Sequence, residues 1–272
     1  MPHTVFITGT SSGLGKRTAL HLAEQGWNVA ATLRDTTGGG ELAQHERIRL
    51  FELDVTDASQ AQRAARDAIA TFGSVDVVVN NAGVGAYGPL EFASEDTIDW
   101  QLAVNVRGPL NVIRAFLPHL REQKRGKVIN VSSFMGVTTA VPTGSLYNMS
   151  KFALEGLIEG LYYELAPLAI DLHLVEPGGF KDNSFAANMK FSTDPQVRDY
   201  DRIVEKVQAL FASSDPNLRD DPQLIVDEIY ALATGRNKQF RTLVGQMSKD
   251  LMALRASMPI EDYLAKLAAQ FS

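Results

Sequence analysis

Tyr147 and Lys151 stand four residues apart within Ser145 to Leu165, a run with helix-like apolar periodicity, so their side chains share one face. A phenol with a pKa near 10 is almost wholly protonated at neutral pH. A lysine cation about 5 Å away, at an effective dielectric near 20, favours the phenolate by roughly 3 kcal/mol, equivalent to about two pKa units. The pair is therefore predicted to work as an acid or base near physiological pH. The same spacing arises on ordinary amphipathic surfaces, so its chemistry depends on what the rest of the chain brings beside it.

One such partner lies at the N-terminus. Thr8-Gly9-Thr10-Ser11-Ser12-Gly13-Leu14-Gly15 follows the apolar run Val5-Phe6-Ile7 and opens a helical pattern. Glycines in a strand-turn-helix junction let the backbone bend and let a pyrophosphate approach, while free N–H groups at the helix start face the anion. A phosphate loop of nucleotide hydrolases is excluded, because Thr10 stands where that motif needs glycine and Arg17 where it needs serine or threonine.

The elements that must position these groups alternate. Short β-branched runs are read as strands at His3 to Thr8, Asn28 to Leu33, Ile48 to Leu53, Val75 to Val79, Lys127 to Ser132, Ile170 to Val175 and Arg241 to Val244. Between them, Leu14 to Gln25, Ser59 to Phe72, Glu95 to Leu117, Ser145 to Leu165 and Pro222 to Thr234 carry helical periodicity. The pattern predicts an α/β fold, a doubly wound parallel sheet of seven strands with helices on both faces. Gly38-Gly39-Gly40 reads as a flexible turn. From about 180 to 217 the alternation lapses into a polar excursion, expected to form a lid over a substrate. At about 247–272 a helical tail follows, in which Ile260, Tyr263, Leu264, Leu267 and Phe271 give an apolar stripe. That stripe packs on the chain's own core, meets a second subunit, or caps the cleft.

The 272 residues suit one large domain, with no linker-like stretch to divide it. A net charge of −6 argues against nucleic acid as a partner. The absence of cysteine removes disulfides and thiolate chemistry. The five histidines form no His-x-x-x-His pair, so no metal is expected. With no basic leader and no apolar span of about 18 residues, a cytoplasmic protein without membrane association is expected.

The ordered set of the glycine turn, Asn80-Asn81-Ala82-Gly83, Asn105, Ser133 and Tyr147-Asn148-Met149-Ser150-Lys151 resembles the short-chain dehydrogenase/reductase family, in its single-domain branch. The resemblance runs from Thr4 to about Val244. The second-strand end and Val175-Glu176-Pro177-Gly178-Gly179-Phe180 look most like the subgroup of 17β-hydroxysteroid dehydrogenases and retinol-type reductases. It implies catalysis by Asn105, Ser133, Tyr147 and Lys151, with hydride passing between a nicotinamide and a carbonyl carbon while Tyr147 handles the proton. Ser133 fits the family's Ser-x-x-Gly form through Gly136, with Ser132 as the alternative. Asn105 matches the helix asparagine that holds a water in a relay to the lysine.

Cofactor contacts are implied for Gly9, Ser11, Ser12, Gly13, Leu14, Gly15, Arg34, Asp54, Val55, Asn81, Ala82, Gly83, Tyr147, Lys151, Pro177, Gly178 and Gly179. Leu33 stands where NAD-preferring relatives carry aspartate, and Arg34 follows it. NADP(H) is therefore the expected cofactor, with NAD(H) left open by Asp35. The downstream threonine of the family's Pro-Gly turn is replaced by Asp182 or Asn183. Tyr87, Phe134, Met135, Leu146, Phe180, Phe185 and Met189 are candidates for an apolar substrate cleft. A small carbonyl or alcohol is the expected substrate, and apolar residues on several sides of the catalytic helix, Phe152, Leu157 and Tyr162 among them, point to a homodimer or homotetramer. A silent NADP(H)-binding regulator, or an epimerase or dehydratase on the same fold, are the rival readings.

Overall fold

A computed structural model describes residues 2–181, 185, 188–213 and 219–271. Seven strands form one parallel sheet: β1 (Thr4–Ile7), β2 (Asn28–Leu33), β3 (Ile48–Glu52), β4 (Val77–Asn80), β6 (Gly126–Val131), β7 (Ile170–Pro177) and β9 (Arg241–Val244). Their order is β3-β2-β1-β4-β6-β7-β9. The chain moves outward from β1 to β3 and then returns to the other side of β1. That reversal opens a crevice at the carboxyl ends of β1 and β4, where open α/β sheets take their ligands.

Strand side chains alternate between two cores, as period-two geometry requires. Val5, Ile7, Val29, Ala31, Val77 and Val79 pack under α1 (Gly13–Glu24) and α8 (Gln223–Thr234). Phe6, Ala30, Val78, Val128, Leu172 and Leu174 point the other way, against α3 (Ala58–Phe72), α5 (Gly108–Gln123) and α6 (Ser145–Leu165). Covered on both faces, the strands are nearly all apolar, which is why they read as continuous runs in sequence.

Three expectations are corrected. The helix read as Glu95 to Leu117 is instead α4 (Glu95–Leu102), a π-helical stretch (Ala103–Arg107) and then α5. Pro109 lacks the N–H that an α-helix would aim at the Asn105 carbonyl, so the chain widens before resuming. The glycine run is a short helical turn (Thr36–Gly38) leading into α2 (Gly40–Gln44), with Gly39 buried under Leu50. The tail is two helices, α9 (Gln246–Ala256) and α10 (Ile260–Phe271). Tyr263 of α10 is fully buried; its hydroxyl accepts from Thr138 Oγ1 and donates to the Thr139 carbonyl, both at 2.9 Å.

Within the excursion, β8 (Lys190–Phe191) pairs in parallel with β5 (Ala86–Tyr87), and α7 (Asp201–Ala212) follows. Tyr200 donates to the Glu91 carboxylate at 2.8 Å. Among the described residues, no helix is long and apolar enough to cross a membrane.

Candidate active site

The glycine turn is held by its neighbours. Thr8 Oγ1 accepts the Asn81 and Ala82 N–H groups, each at 3.0 Å, and Asn81 Nδ2 donates to the carbonyls of Thr8 and Gly9 at 2.9 and 3.1 Å. Gly9 has φ +70°, and a Cβ there would lie 2.9 Å from Ala82 Cα. A Cβ on Gly15 would overlap the Gly9 carbonyl and the Asn81 amide. The turn and the Asn81-Ala82-Gly83 segment thus close on each other only because those side chains are missing. Ser12 begins α1 in extended conformation without using its hydroxyl as a cap, and Ser11 beside it is exposed. The Leu14 side chain belongs to the core, so this residue presents only its backbone.

At the end of β2, Arg34 is exposed. The Asp35 carboxylate is turned into the chain, accepting from Thr37 N at 2.9 Å and Thr37 Oγ1 at 2.6 Å. Asp54 makes the same kind of turn with Thr56, at 2.9 and 2.7 Å. Val55 packs into the core beside Gly108 and gives its carbonyl to Asn111 Nδ2 at 2.9 Å.

The four residues of the implied catalytic group meet at the carboxyl edge of β4 and β6. Ser133 follows β6; its hydroxyl accepts from Met135 N at 3.1 Å and stands near enough to the Tyr147 phenol to lower its pKa. Ser132 is buried, and its hydroxyl has no hydrogen-bond partner among the described residues. Lys151 Nζ donates to the Val131 carbonyl at 3.0 Å and lies 5.8 Å from the centre of the Tyr147 ring. A Cβ on Gly83 would sit 3.8 Å from that ammonium and 3.5 Å from Asn105 Oδ1, so this glycine leaves an opening where the two converge. Asn105 is spent on structure: Oδ1 accepts Val84 N, and Nδ2 donates to Val84 O and Ser150 Oγ, at 2.9, 2.9 and 3.1 Å. Its side chain therefore holds the Val84 backbone and Ser150. Pro109 offers no N–H to the Asn105 carbonyl.

The electrostatics reverse one expectation. Tyr87 stacks on Tyr147 with centroids 5.7 Å apart, and Phe185 approaches it edge-on at 5.3 Å. Burial pushes the Tyr147 phenol up to about 12, opposed by the Ser133 bond. Burial also brings Lys151 down to about 8, opposed by the charge of Glu155. The direction is opposite to the depressed phenol expected from the Tyr-Lys spacing, because desolvation is the largest influence on it.

Tyr87, Phe134, Met135 and Tyr147 form one apolar cluster with Phe185, Met189, Phe191, Phe211, Met247 and Leu251 around it. Phe180 packs instead on the core beneath α1 and α8, and Leu146 is buried outside the cluster. Pro177 ends β7; Gly178 N donates to Val244 O at 3.1 Å and the Gly179 carbonyl accepts Asp220 N at 2.9 Å. Asp182 and Asn183 lie outside the described residues.

Sequence reasoning missed the polar backing of the helix. Ser150 Oγ donates to Tyr147 O and accepts from Gln101 Nε2, at 2.8 and 2.9 Å. Asn148 Nδ2 holds the carbonyls of Met135 and Thr138, at 2.8 and 3.1 Å. The available signal was a helix carrying four polar residues within five positions, 147, 148, 150 and 151, in an otherwise apolar pattern.

The model of short chain dehydrogenases matches residues 3–192. The chain belongs to the short-chain dehydrogenase/reductase family. It is 35% identical to 3-ketodihydrosphingosine reductase of Bacteroides thetaiotaomicron, over 93% of this chain and 91% of that protein. It is 41% identical to human 17-beta-hydroxysteroid dehydrogenase type 1 over 64% of this chain and 56% of that one. A short-chain dehydrogenase structure from Streptomyces avermitilis superposes with a TM-score of 0.83 at 31% identity, covering 98% of both chains. The protein is thus a short-chain oxidoreductase acting between CH–OH and C=O groups with a nicotinamide cofactor.

Proposed function

We propose that this short-chain dehydrogenase/reductase uses NADP(H) to interconvert a carbonyl and a secondary alcohol on a small hydrophobic substrate, with Tyr147 as the acid or base. The observation that carries the reading is the buried Ser133 hydroxyl set beside the Tyr147 phenol, one helical turn from buried Lys151, at the sheet edge. The cradle fits a dinucleotide: the turn from Gly9 to Gly15, with Ser11, Ser12, Gly13 and Leu14, offers N–H groups to a pyrophosphate. Asp54 and Val55 would border the adenine; Asn81, Ala82, Gly83, Tyr147 and Lys151 would border the nicotinamide ribose, and Pro177, Gly178 and Gly179 its carboxamide. When bound, the nicotinamide supplies or accepts hydride.

The chain's own residues handle the oxygen. Ser133 and Tyr147 are donors fixed before reaction for the negative charge that grows on a carbonyl oxygen. A phenol that holds its proton to about pH 12 in the resting site is a competent donor for reduction. The Lys151 ammonium steadies the phenolate left behind. Arg34 supports NADP(H), because it is an exposed cation beside the crevice while Asp35, the competing ribose ligand, is bound to Thr37. The aromatic and methionine side chains around Tyr147 support an apolar substrate. A second copy of the chain is proposed to cover the outer face of α6, where Met149, Phe152 and Tyr163 are 42%, 44% and 77% exposed.

The test follows reduced-nicotinamide absorbance with NADPH and with NADH over a panel of ketones, aldehydes and quinones. Sustained NADPH oxidation on apolar ketones is expected. Regeneration of the cofactor without net conversion would indicate an epimerase, and binding without turnover a regulator.

A further inference from the structure

Behind Lys151 lies an ionisable pair that the reaction above does not use. Glu155 follows Lys151 by one turn of α6, and Glu176 precedes Pro177 at the end of β7; their side chains are 4% and 2% exposed. Arg241 of β9 serves both. Its Nε lies 2.9 Å from Glu155 Oε2 and 3.1 Å from Glu176 Oε1, while its Nη2 turns to Glu159 Oε2 at 2.9 Å. Three carboxyls therefore meet one guanidinium. Glu159 is 58% exposed and solvent carries its charge, but only one of the two buried carboxylates can be neutralised by Arg241.

Among the described residues, Oε1 of Glu155 and Oε1 of Glu176 each lack a hydrogen bond of good geometry. Two ionised carboxylates are acceptors only and repel each other, so sharing one cation in the interior favours a proton on one of them. Burial and the Glu155 charge push Glu176 up to about 8, and Glu155 is also the charge that opposes the lowering of Lys151. The groups facing the pair are Lys151 and Glu159 on α6, Arg241 on β9, and the unpartnered Ser132 hydroxyl after β6. Gly136 leaves the space for this meeting, since a Cβ there would lie 2.8 Å from Ser132 Oγ and 2.9 Å from Glu155 Cγ.

We propose that Glu155 and Glu176 are a one-proton carboxyl pair in which Glu176 holds the proton and anionic Glu155 keeps the Lys151 ammonium charged. Glu155 is thus a positioning residue acting through Lys151, and the proposal rests on the role given to Lys151 above. No bond is made or broken in the pair during turnover; its charge sets the pH range over which the lysine remains a cation.

Infrared titration of the wild-type protein at the carboxyl C=O stretch tests the pair without turnover. A protonated-carboxyl band is expected at pH 7 and is lost as pH rises through about 8. Glu176→Gln removes the band by removing the group. Glu155→Gln moves its loss to lower pH, because the Glu155 charge no longer helps hold the proton on Glu176. The pH profile of kcat/KM then separates the two: Glu155→Gln moves the basic limb down by about one unit, whereas Glu176→Gln leaves it in place. Should the protein show no turnover, only the functional reading falls, and the Lys151 titration is followed by 15N NMR with the same downward shift expected in Glu155→Gln. Absence of the band in wild type at pH 7 overturns the pair even if neither variant folds, and equal basic limbs in the two variants overturn the coupling to Lys151.

Discussion

Under the proposed function, cofactor choice rests on single side chains at the end of β2. Arg34 is exposed and Asp35 is turned toward Thr37. A charged hydrogen bond is worth about 1.5–3 kcal/mol, so Arg34→Leu is expected to raise KM for NADPH roughly 10- to 100-fold and leave KM for NADH nearly unchanged. Equal losses with both cofactors would assign Arg34 a structural role. The pH dependence is set by Lys151, not Tyr147. Lys151 is a cation below about 8 and loses its proton above it, while the phenol keeps its proton to about 12. Carbonyl reduction is therefore expected to fall as pH rises through about 8, in a profile of kcat/KM measured with saturating NADPH. The identities of Ser133, Tyr147 and Lys151 were legible as a motif. Their acidities were not, because Tyr87 and Phe185, which desolvate the phenol, lie 60 and 38 positions from it and nothing in the spacing places them there.

The π-helical stretch between α4 and α5 is the element on which the group depends most. Asn105 spends its whole amide on Val84 and Ser150, so the widened turn, the backbone beside Gly83 and the catalytic helix are tied at one residue. Asn105→Ala is expected to cost about 1–3 kcal/mol by leaving the Val84 groups unpaired. That appears as a fall of about 2–4 °C in Tm per kcal/mol, together with a lower kcat. An unchanged Tm would contradict the structural role of the Asn105 amide. All seven sheet strands were readable from their β-branched runs, since burial on both faces forces that composition. The break at Ala103–Arg107 was missed although Pro109 announces it, because a hydrophobic period of 3.6 persists across a single-turn bulge. The partition of the tail into α9 and α10 was hidden for a similar reason, apolar residues recurring on both sides of the Ser257–Pro259 junction.

At the scale of the whole molecule, β7, β9 and α6 enclose the Glu155–Arg241–Glu176 group on one side of Lys151, and the aromatic cluster of β5 and the excursion encloses Tyr147 on the other. The excursion was legible as an interruption, but its pairing of β8 with β5 was not, since two-residue strands carry no periodic signal. The outer face of α6 presents Met149, Phe152, Gly156, Gly160 and Tyr163 in helical succession, and a Cβ on either glycine would meet nothing within 4 Å. Phe152→Asp is expected to shift the protein to monomer in sedimentation velocity; an unshifted assembly would move the interface elsewhere.

The measurement closest to the central claim compares wild type with Tyr147→Phe for both NADPH binding, by fluorescence titration, and NADPH-dependent reduction of an apolar ketone. The variant is expected to keep Kd within a few-fold while kcat falls by about 10²–10⁴-fold, the range for loss of a positioned proton donor. Undiminished turnover in the variant would contradict the account, because the proton would then come from elsewhere than Tyr147.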